Sequence, residues 1–259
     1  MAARLGRAAM PFLLLFSILA VAALVTSFIS GILGMAGGMI LMGILLAVLP
    51  VPAAMMLHGI TQLASNAWRA WLWRTSVDWR VFRGYAYGTI VALAFFVAVQ
   101  ILVSKPAALI ILGLTPFVGL ALPESLKLNV ERRGHSFACG LICQGLNLTA
   151  GVSGPILDVF FVRSAMGRHA VVATKALTQS LSHTVKIAYF GGIAATAAGS
   201  NVHVGIAATM VVLAFVGTTL SRSVLEKMND TSFRLWTKWT VLSLGVVYLA
   251  SGALLLAEA

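Results

Sequence analysis

The feature that most constrains this chain is a series of apolar runs, each about as long as a membrane is thick, separated by short polar breaks. A hydrocarbon core of about 30 Å is crossed by roughly 20 helical residues, and backbone inside it must be hydrogen-bonded internally. Of the 259 residues, 60% are hydrophobic and 10% are charged, whereas a globular domain carries about 25% charged residues. We therefore predict an all-α, multi-pass bundle of transmembrane helices and exclude a soluble domain with one anchor.

The apolar runs predict ten helices in two sets of five. The first set lies near residues 11–33, 38–49, 53–74, 83–103 and 106–122, and the second near 136–149, 155–162, 169–190, 203–220 and 235–257. Between the sets lies Pro123–Gly134, the only central stretch that is dense in charge. We predict three parts of the chain: a first transmembrane repeat (1–122), a charged cytoplasmic linker (123–134) and a second transmembrane repeat (135–259).

The two sets resemble each other in sequence. The segment Thr61–Trp71 lines up with Thr178–Ala188, with identical Thr, Gln and Ser residues and with Arg69 opposite Lys186. Upstream, Gly37–Leu41 lines up with Ser153–Leu157. The distance along the chain between these two segments is one residue shorter than the distance between the first pair. Shared polar residues at shared spacing are rarer between apolar helices than shared apolar ones, so we predict an internal duplication.

The charge of the loops predicts how the repeats are oriented. The chain has a net charge of +11, and its Lys and Arg residues lie mostly in loops, where the positive-inside rule explains them better than nucleic-acid binding does. The basic loops on both sides of residues 136–162 can face the cytoplasm only if this segment forms a re-entrant hairpin. We then expect inverted repeats, an arrangement common in secondary transporters. If the segment is instead one kinked crossing, the repeats are parallel.

Two segments rich in glycine interrupt the apolar runs at matching places. We call Gly31–Gly38 the first break and Gly145–Pro155 the second break. Helices broken at membrane depth are tolerated where they face protein or a water-filled cavity, and the N-terminus of a half-helix attracts anions. The two breaks therefore predict one anion site at the membrane midplane, although close helix packing by small residues is the alternative.

The matched helices carry the side chains that would complete such a site. Polar residues recur there at helical spacing and form one stripe on each helix, and such stripes face a bundle interior or a cavity. Arg69 and Lys186 would compensate the anion's charge, unless they extend to the membrane surface. The predicted substrate-binding residues are Gly37, Gly38, Thr61, Gln62, Asn66, Arg69, Ser153, Gly154, Lys175, Thr178, Gln179, Ser182, His183 and Lys186.

Three further groups are weaker candidates. His58 and His183 are possible proton relays, although a membrane histidine is often a hydrogen-bonded packing residue. Asp158 is the only acid within the second hairpin and would pair with a nearby cation or take up a proton. Cys139 and Cys143 lie one helical turn apart and are expected to be packing residues, so we predict no metal site. We also predict no cofactor, because the chain has no nucleotide-binding motif.

The glycine-rich first break, its counterpart and the two-part layout resemble the TauE/SafE family of sulfite exporters and anion permeases. The likeness covers nearly the whole chain and is strongest in Gly31–Leu41, Gly145–Leu157, Met55–Trp73 and Val171–Phe190. It differs from the family pattern at Met39, which stands opposite Pro155. The resemblance implies a membrane transporter of a small anion, sulfite or an organosulfonate, with export coupled to the proton gradient.

We therefore expect a secondary transporter in the inner (cytoplasmic) membrane that works by alternating access. Its partners would be a small anion and the lipid bilayer, without nucleic acid, and a homodimer is plausible although the sequence has no signature for it. A passive anion channel is the first alternative. A membrane-embedded enzyme is less favoured, because no His-Glu-x-x-His or Gly-x-Ser-x-Gly motif is present and Ser153 has no evident base.

Overall fold

The computed structural model describes residues 11–33, 35–121, 128–192, 202–225 and 230–258. Within these ranges the chain is helical and contains no strand, which confirms the all-α prediction. The ten α-helices are α1 (Phe12–Leu33), α2 (Met35–Val48), α3 (Val51–Leu72), α4 (Trp79–Val99), α5 (Lys105–Ala121), α6 (His135–Thr149), α7 (Gly154–Phe161), α8 (Arg168–Gly191), α9 (Val204–Leu225) and α10 (Asp230–Ala257). Gly34 and parts of the predicted linker and of the loop before α9 (123–127, 193–201) lie outside the described residues.

The helix bounds differ most from the prediction in α4, α9 and α10. Helix α4 begins at Trp79, before the predicted start, because the Asp78 carboxylate accepts hydrogen bonds from the backbone N–H groups of Arg80 (2.9 Å) and Val81 (3.0 Å). Such a side chain satisfies free donors in the first helical turn. Helix α10 likewise begins at Asp230, ahead of its apolar run. An apolar run therefore marks the part of a helix that lies in lipid, and the helical backbone extends beyond it.

Among the described residues, four helices are long and apolar enough to span a membrane: α1, α4, and the apolar parts of α9 and α10. Their outward surfaces expose large apolar side chains, such as Val21 (61%), Ile90 (59%) and Val246 (58%), as lipid contact requires. Helices α3 and α8 are as long, with 22 and 24 residues. They lack the same apolar character because each carries a polar stripe toward the bundle interior.

Matched helices of the two halves pack side by side in opposite directions. In the α3–α8 pair, Gly59 approaches Ile187, whereas near the other end of α3 the Trp73 ring stacks on His169 at 4.4 Å between ring centroids. The α5–α10 pair shows the same order, since Gly113 lies beside Gly245 and the earlier Pro106 lies beside Gly252. Equivalent helices therefore run antiparallel to each other.

The remaining long helices exchange partners between the halves. In chain order, α1 of the first half corresponds to α6 of the second half, and α4 corresponds to α9. In the structure, α1 packs along α9 and α4 packs along α6. In both pairs the helices run parallel: Phe12 lies beside His203 and Gly31 beside Ser221, and Gly84 lies beside Ser136. Exchanging the two halves reproduces these pairings, whereas the inverted duplication itself stays a prediction.

The segment that contains α6 and α7 returns to the side on which it began. The backbone N–H of Val130, before α6, donates to the carbonyl of Phe160 near the end of α7 (3.0 Å). The Asn129 amide also donates to the Arg163 carbonyl (2.8 Å). The two ends of the segment are therefore adjacent, as the predicted re-entrant hairpin requires.

All six tryptophans of the chain lie at the end of the bundle that carries the basic loops. They are Trp68, Trp71, Trp73, Trp79, Trp236 and Trp239, and each exposes between 39% and 61% of its surface. Arg74 lies over the Trp71 ring at 4.5 Å. Tryptophan and basic side chains favour the membrane interface, so this end forms one such interface.

Candidate functional site

The two breaks bring the N-termini of two half-helices together inside the bundle. Helix α1 ends at Leu33 and α2 begins at Met35, whereas α6 ends at Thr149 and α7 begins at Gly154. A Cβ atom added to Gly154 would lie 2.6 Å from the Cβ of Met35, so the two N-termini are in contact. Gly151 turns the second break with a φ of +80°, which favours glycine. The free N–H groups of both half-helices therefore converge on one region.

A hydrogen-bonded link joins the two breaks through the matched helices. His58 Nε2 lies 2.9 Å from the carbonyl oxygen of Gly38, and Lys186 Nζ lies 2.8 Å from His58 Nδ1 and 2.9 Å from the carbonyl oxygen of Gly151. A carbonyl only accepts hydrogen bonds, so Nε2 carries the proton and Nδ1 accepts from Lys186. We call this chain of contacts the His58–Lys186 link. It connects the first break, α3, α8 and the second break.

A cavity of about 880 Å³ lies between the polar stripes of α3 and α8 and the two breaks. Ten of the fourteen predicted substrate-binding residues line it: Gly38, Gln62, Asn66, Arg69, Ser153, Gly154, Lys175, Gln179, Ser182 and His183. Apolar side chains from α7, α8 and α10 complete the wall. The structure thus brings most of the two stripes and both breaks to one volume.

The cavity has a buried inner end and an exposed mouth. At the inner end Asn66 is 2% exposed and His183 is 6% exposed, and the rings of His58 and His183 lie 5.5 Å apart. Toward the basic end of the bundle the lining residues become exposed, as at Arg168 and Lys238. The mouth therefore opens on the side of the basic loops and the tryptophans.

Three polar side chains at the cavity have buried hydrogen-bonding atoms without a partner among the described residues. Both polar atoms of the Asn147 amide are unpaired, as are His183 Nδ1 and the Thr237 hydroxyl oxygen, and all three residues line the cavity. Burying a polar group without a partner costs about 1–3 kcal/mol. Three such groups at one cavity indicate a polar ligand that completes their hydrogen bonds.

The cavity also contains an ion pair between its mouth and its inner end. Lys175 Nζ of α8 donates to the Asp158 carboxylate of α7, and the side chains are 26% and 37% exposed. Arg69 lines the same cavity without an acidic partner among the described residues. The lining therefore carries more positive than negative charge, which favours an anionic ligand.

Four predicted site residues lie outside the cavity lining. Gly37 packs against the backbone of α1 at Thr26. Thr61 donates to the Leu57 carbonyl (2.8 Å), and Thr178 donates to the Lys175 carbonyl (2.8 Å), each within its own helix. Lys186 is fully buried beyond the inner end, in the His58–Lys186 link.

Comparison with known proteins gave one family. The family model described as sulfite exporter TauE/SafE matches residues 19–248. The chain belongs to the TauE/SafE family. Neither the curated proteins nor the solved structures gave a match. The match covers both breaks, the matched helices and all the residues named at the cavity, and with the apolar helices it identifies a multi-pass membrane protein of a transporter family.

Five polar residues at the cavity of this TauE/SafE chain were missing from the predicted site: Ser30, Asn147, Arg168, Thr237 and Lys238. The sequence does contain a signal for Asn147, which is a polar residue inside an apolar run near the second break. Arg168 is the first residue of α8 and Lys238 lies in the third turn of α10, and in the sequence both look like the charges that commonly flank apolar runs. Only the packing of α8 and α10 around the mouth brings them to the cavity.

Proposed function

We propose that this protein is a secondary transporter that moves a small oxyanion, sulfite or an organosulfonate, across the cytoplasmic membrane by alternating access. The observation that carries the proposal is the cavity, where two half-helix N-termini meet unpaired Asn147 and His183 under a surplus of positive charge. Amide, imidazole and backbone N–H donors suit the oxygens of such an anion. The membership of the TauE/SafE family supports the same substrate class.

The shape of the cavity supports a carrier over a passive channel. The cavity runs from the basic end of the bundle to the inner residues, where the fully buried Lys186 ties the second break to His58. The described residues therefore show access from one side only, as expected for one state of an alternating-access cycle. Antiparallel matched helices supply the symmetry that such a cycle uses to open the other side.

An enzyme is less well supported than a transporter. Ser153 lines the cavity, but no described histidine or acid is hydrogen-bonded to it. A nucleophilic serine needs a base within hydrogen-bonding reach.

Three further predictions belong to the proposed transporter: export of the anion, coupling to protons and assembly as a homodimer. A single chain supplies every residue named at the cavity.

The test is uptake of radiolabelled sulfite and ethanesulfonate into proteoliposomes, with wild type, Gln179→Ala and Lys186→Ala. We expect saturable uptake in the wild type that is strongly reduced in both variants. Gln144→Leu is the matched control, because Gln144 is buried in α6 but does not line the cavity. Uptake that rises linearly with concentration would indicate a channel, and no uptake of either anion would refute the proposed substrate class.

A gradient experiment tests the coupling. Proteoliposomes with and without a pH difference across the membrane are compared in the same assay. Proton coupling predicts that anion accumulates above equilibrium only when the pH difference is present. Equal accumulation in both preparations would contradict it.

A further inference from the structure

Asp158 stands out because an anion cavity gains nothing from a carboxylate of its own. It is the one acidic residue among the described residues that line the cavity, and it repels any anion that enters. Its partner, Lys175, is one of several cations in the lining. A carboxylate at this place therefore needs a role other than binding the substrate.

The ion pair lies on the path from the mouth to the inner end. Along α8 the lining residues follow the order Arg168, Lys175, Gln179 and His183, from the exposed end to the buried end. Asp158 lies one helical turn after Gly154, the first residue of α7. An anion that moves from the mouth to the break N-termini passes Lys175 and competes with Asp158 for it.

From this position we propose that Asp158 is a built-in counter-anion that pairs with Lys175 when the transporter is empty and releases it when the substrate anion binds. The inference rests on the proposed alternating-access function. In this role Asp158 allows the empty transporter to change back to its starting conformation, a step that the substrate-binding residues do not explain.

The physical reason is the cost of an unpaired charge in a closed cavity. In a transition between the inward-open and outward-open states the cavity is shut off from water, and a buried charge without a partner is strongly unfavourable. The bound anion balances Lys175 in the loaded protein. Asp158 balances it in the empty protein, so both forms can close and reopen.

This role separates two kinds of transport. Net transport requires the empty protein to return, whereas exchange of one anion for another uses only the loaded form. If Asp158 serves only the empty protein, its loss converts a net transporter into an exchanger. A merely structural role for Asp158 would reduce both activities alike.

The experiment measures uptake of radiolabelled ethanesulfonate, which remains a monoanion, into two sets of proteoliposomes. One set is empty inside and reports net uptake, and the other is preloaded with unlabelled ethanesulfonate and reports exchange. For Asp158→Asn we expect net uptake to fall by about tenfold or more because Lys175 is left without a counter-charge when the empty cavity closes, while exchange stays within about threefold of the wild type.

Further variants protect the test against misfolding and indirect effects. Asp158→Glu keeps the charge and should keep net uptake. The double variant Asp158→Asn with Lys175→Gln removes the unpaired cation, so its ratio of net uptake to exchange should return toward the wild-type ratio, even if the loss of Lys175 weakens anion binding in both modes. Glu258→Gln is the matched control, because this exposed acid near the end of the chain is not part of the cavity lining.

Each outcome has one meaning. Net uptake and exchange that fall equally in Asp158→Asn, or that both stay at the wild-type level, would overturn the counter-anion role while the proposed function stands. A double variant whose ratio of net uptake to exchange stays as low as that of Asp158→Asn would also contradict it. If wild type moves neither ethanesulfonate nor sulfite, the proposed function fails, and this inference fails with it.

Discussion

Arg69 and Lys186 are aligned with each other in the two halves of the chain, but Arg69 lines the cavity near its mouth and Lys186 lies beyond its inner end. Arg69 is partly exposed and lines the wall toward the mouth, whereas Lys186 is fully buried and bonds the second break to His58. Because α3 and α8 run antiparallel, the same position on each helix reaches a different end. Under the predicted duplication, one sequence element therefore supplies an entrance cation in one half and a closing contact in the other.

This comparison has a consequence for the transport cycle. In an inverted repeat the two halves exchange conformations when access changes sides. Arg69 would then become the buried contact, and Lys186 would line the new mouth.

The largest effect concerns the direction of the matched helices. Cysteines introduced at Thr75, after α3, and at Gly191, the last residue of α8, should be labelled by an impermeant maleimide from opposite sides of the membrane. Both positions are exposed, and the native Cys139 and Cys143 are fully buried, so they give little background. Labelling of both positions from the same side would show that the repeats are not inverted.

The next effect is the loss of the closing contact. Lys186→Met leaves His58 Nδ1 and the Gly151 carbonyl unpaired. Removing one partner of a buried charged hydrogen bond costs about 2–5 kcal/mol, so proteoliposome uptake should fall by about 30-fold or more. Lys186→Arg should not rescue it, because the larger guanidinium does not fit a fully buried lysine site. Rescue by arginine would mean that only the charge matters.

A smaller effect distinguishes two buried amides on α6. Asn147→Leu should raise KM for ethanesulfonate by about tenfold, because a hydrogen bond to a charged ligand contributes about 1.5–3 kcal/mol. Gln144→Leu, one turn earlier, removes an unpaired amide outside the cavity. It should leave KM unchanged and raise the melting temperature. Equal KM shifts in both variants would argue that Asn147 does not contact the substrate.

The smallest effect is expected at the mouth. Arg69→Met should raise KM by about threefold, since the Arg69 side chain is partly exposed to solvent and charges near the surface contribute about 1 kcal/mol. The difference from wild type should shrink as salt is raised, because screening weakens attraction between exposed charges. Arg69→Lys should behave like wild type. A loss as large as that of Lys186→Met would remove the proposed distinction between the two ends.

The sequence predicted the helices better than the contacts among them. Apolar runs and the polar stripes on α3 and α8 follow from local periodicity, so the ten described helices could be predicted, and ten of the fourteen predicted site residues do line the cavity. The partner of Lys186 could not, because His58 and Gly151 are far from it in the chain and meet only after α3 packs on α8. For the same reason Gly37 and Thr178 looked like site residues, although Gly37 packs on α1 and the Thr178 hydroxyl is satisfied within α8.

The tryptophans at the basic end give this protein an optical asymmetry. Indole emission depends on the surroundings of the ring, and here every indole lies near the mouth and none lies at the opposite end. Intrinsic fluorescence therefore reports on one end of the bundle alone. Rearrangement of that end during the cycle can be followed in the wild-type protein in real time, without an attached dye.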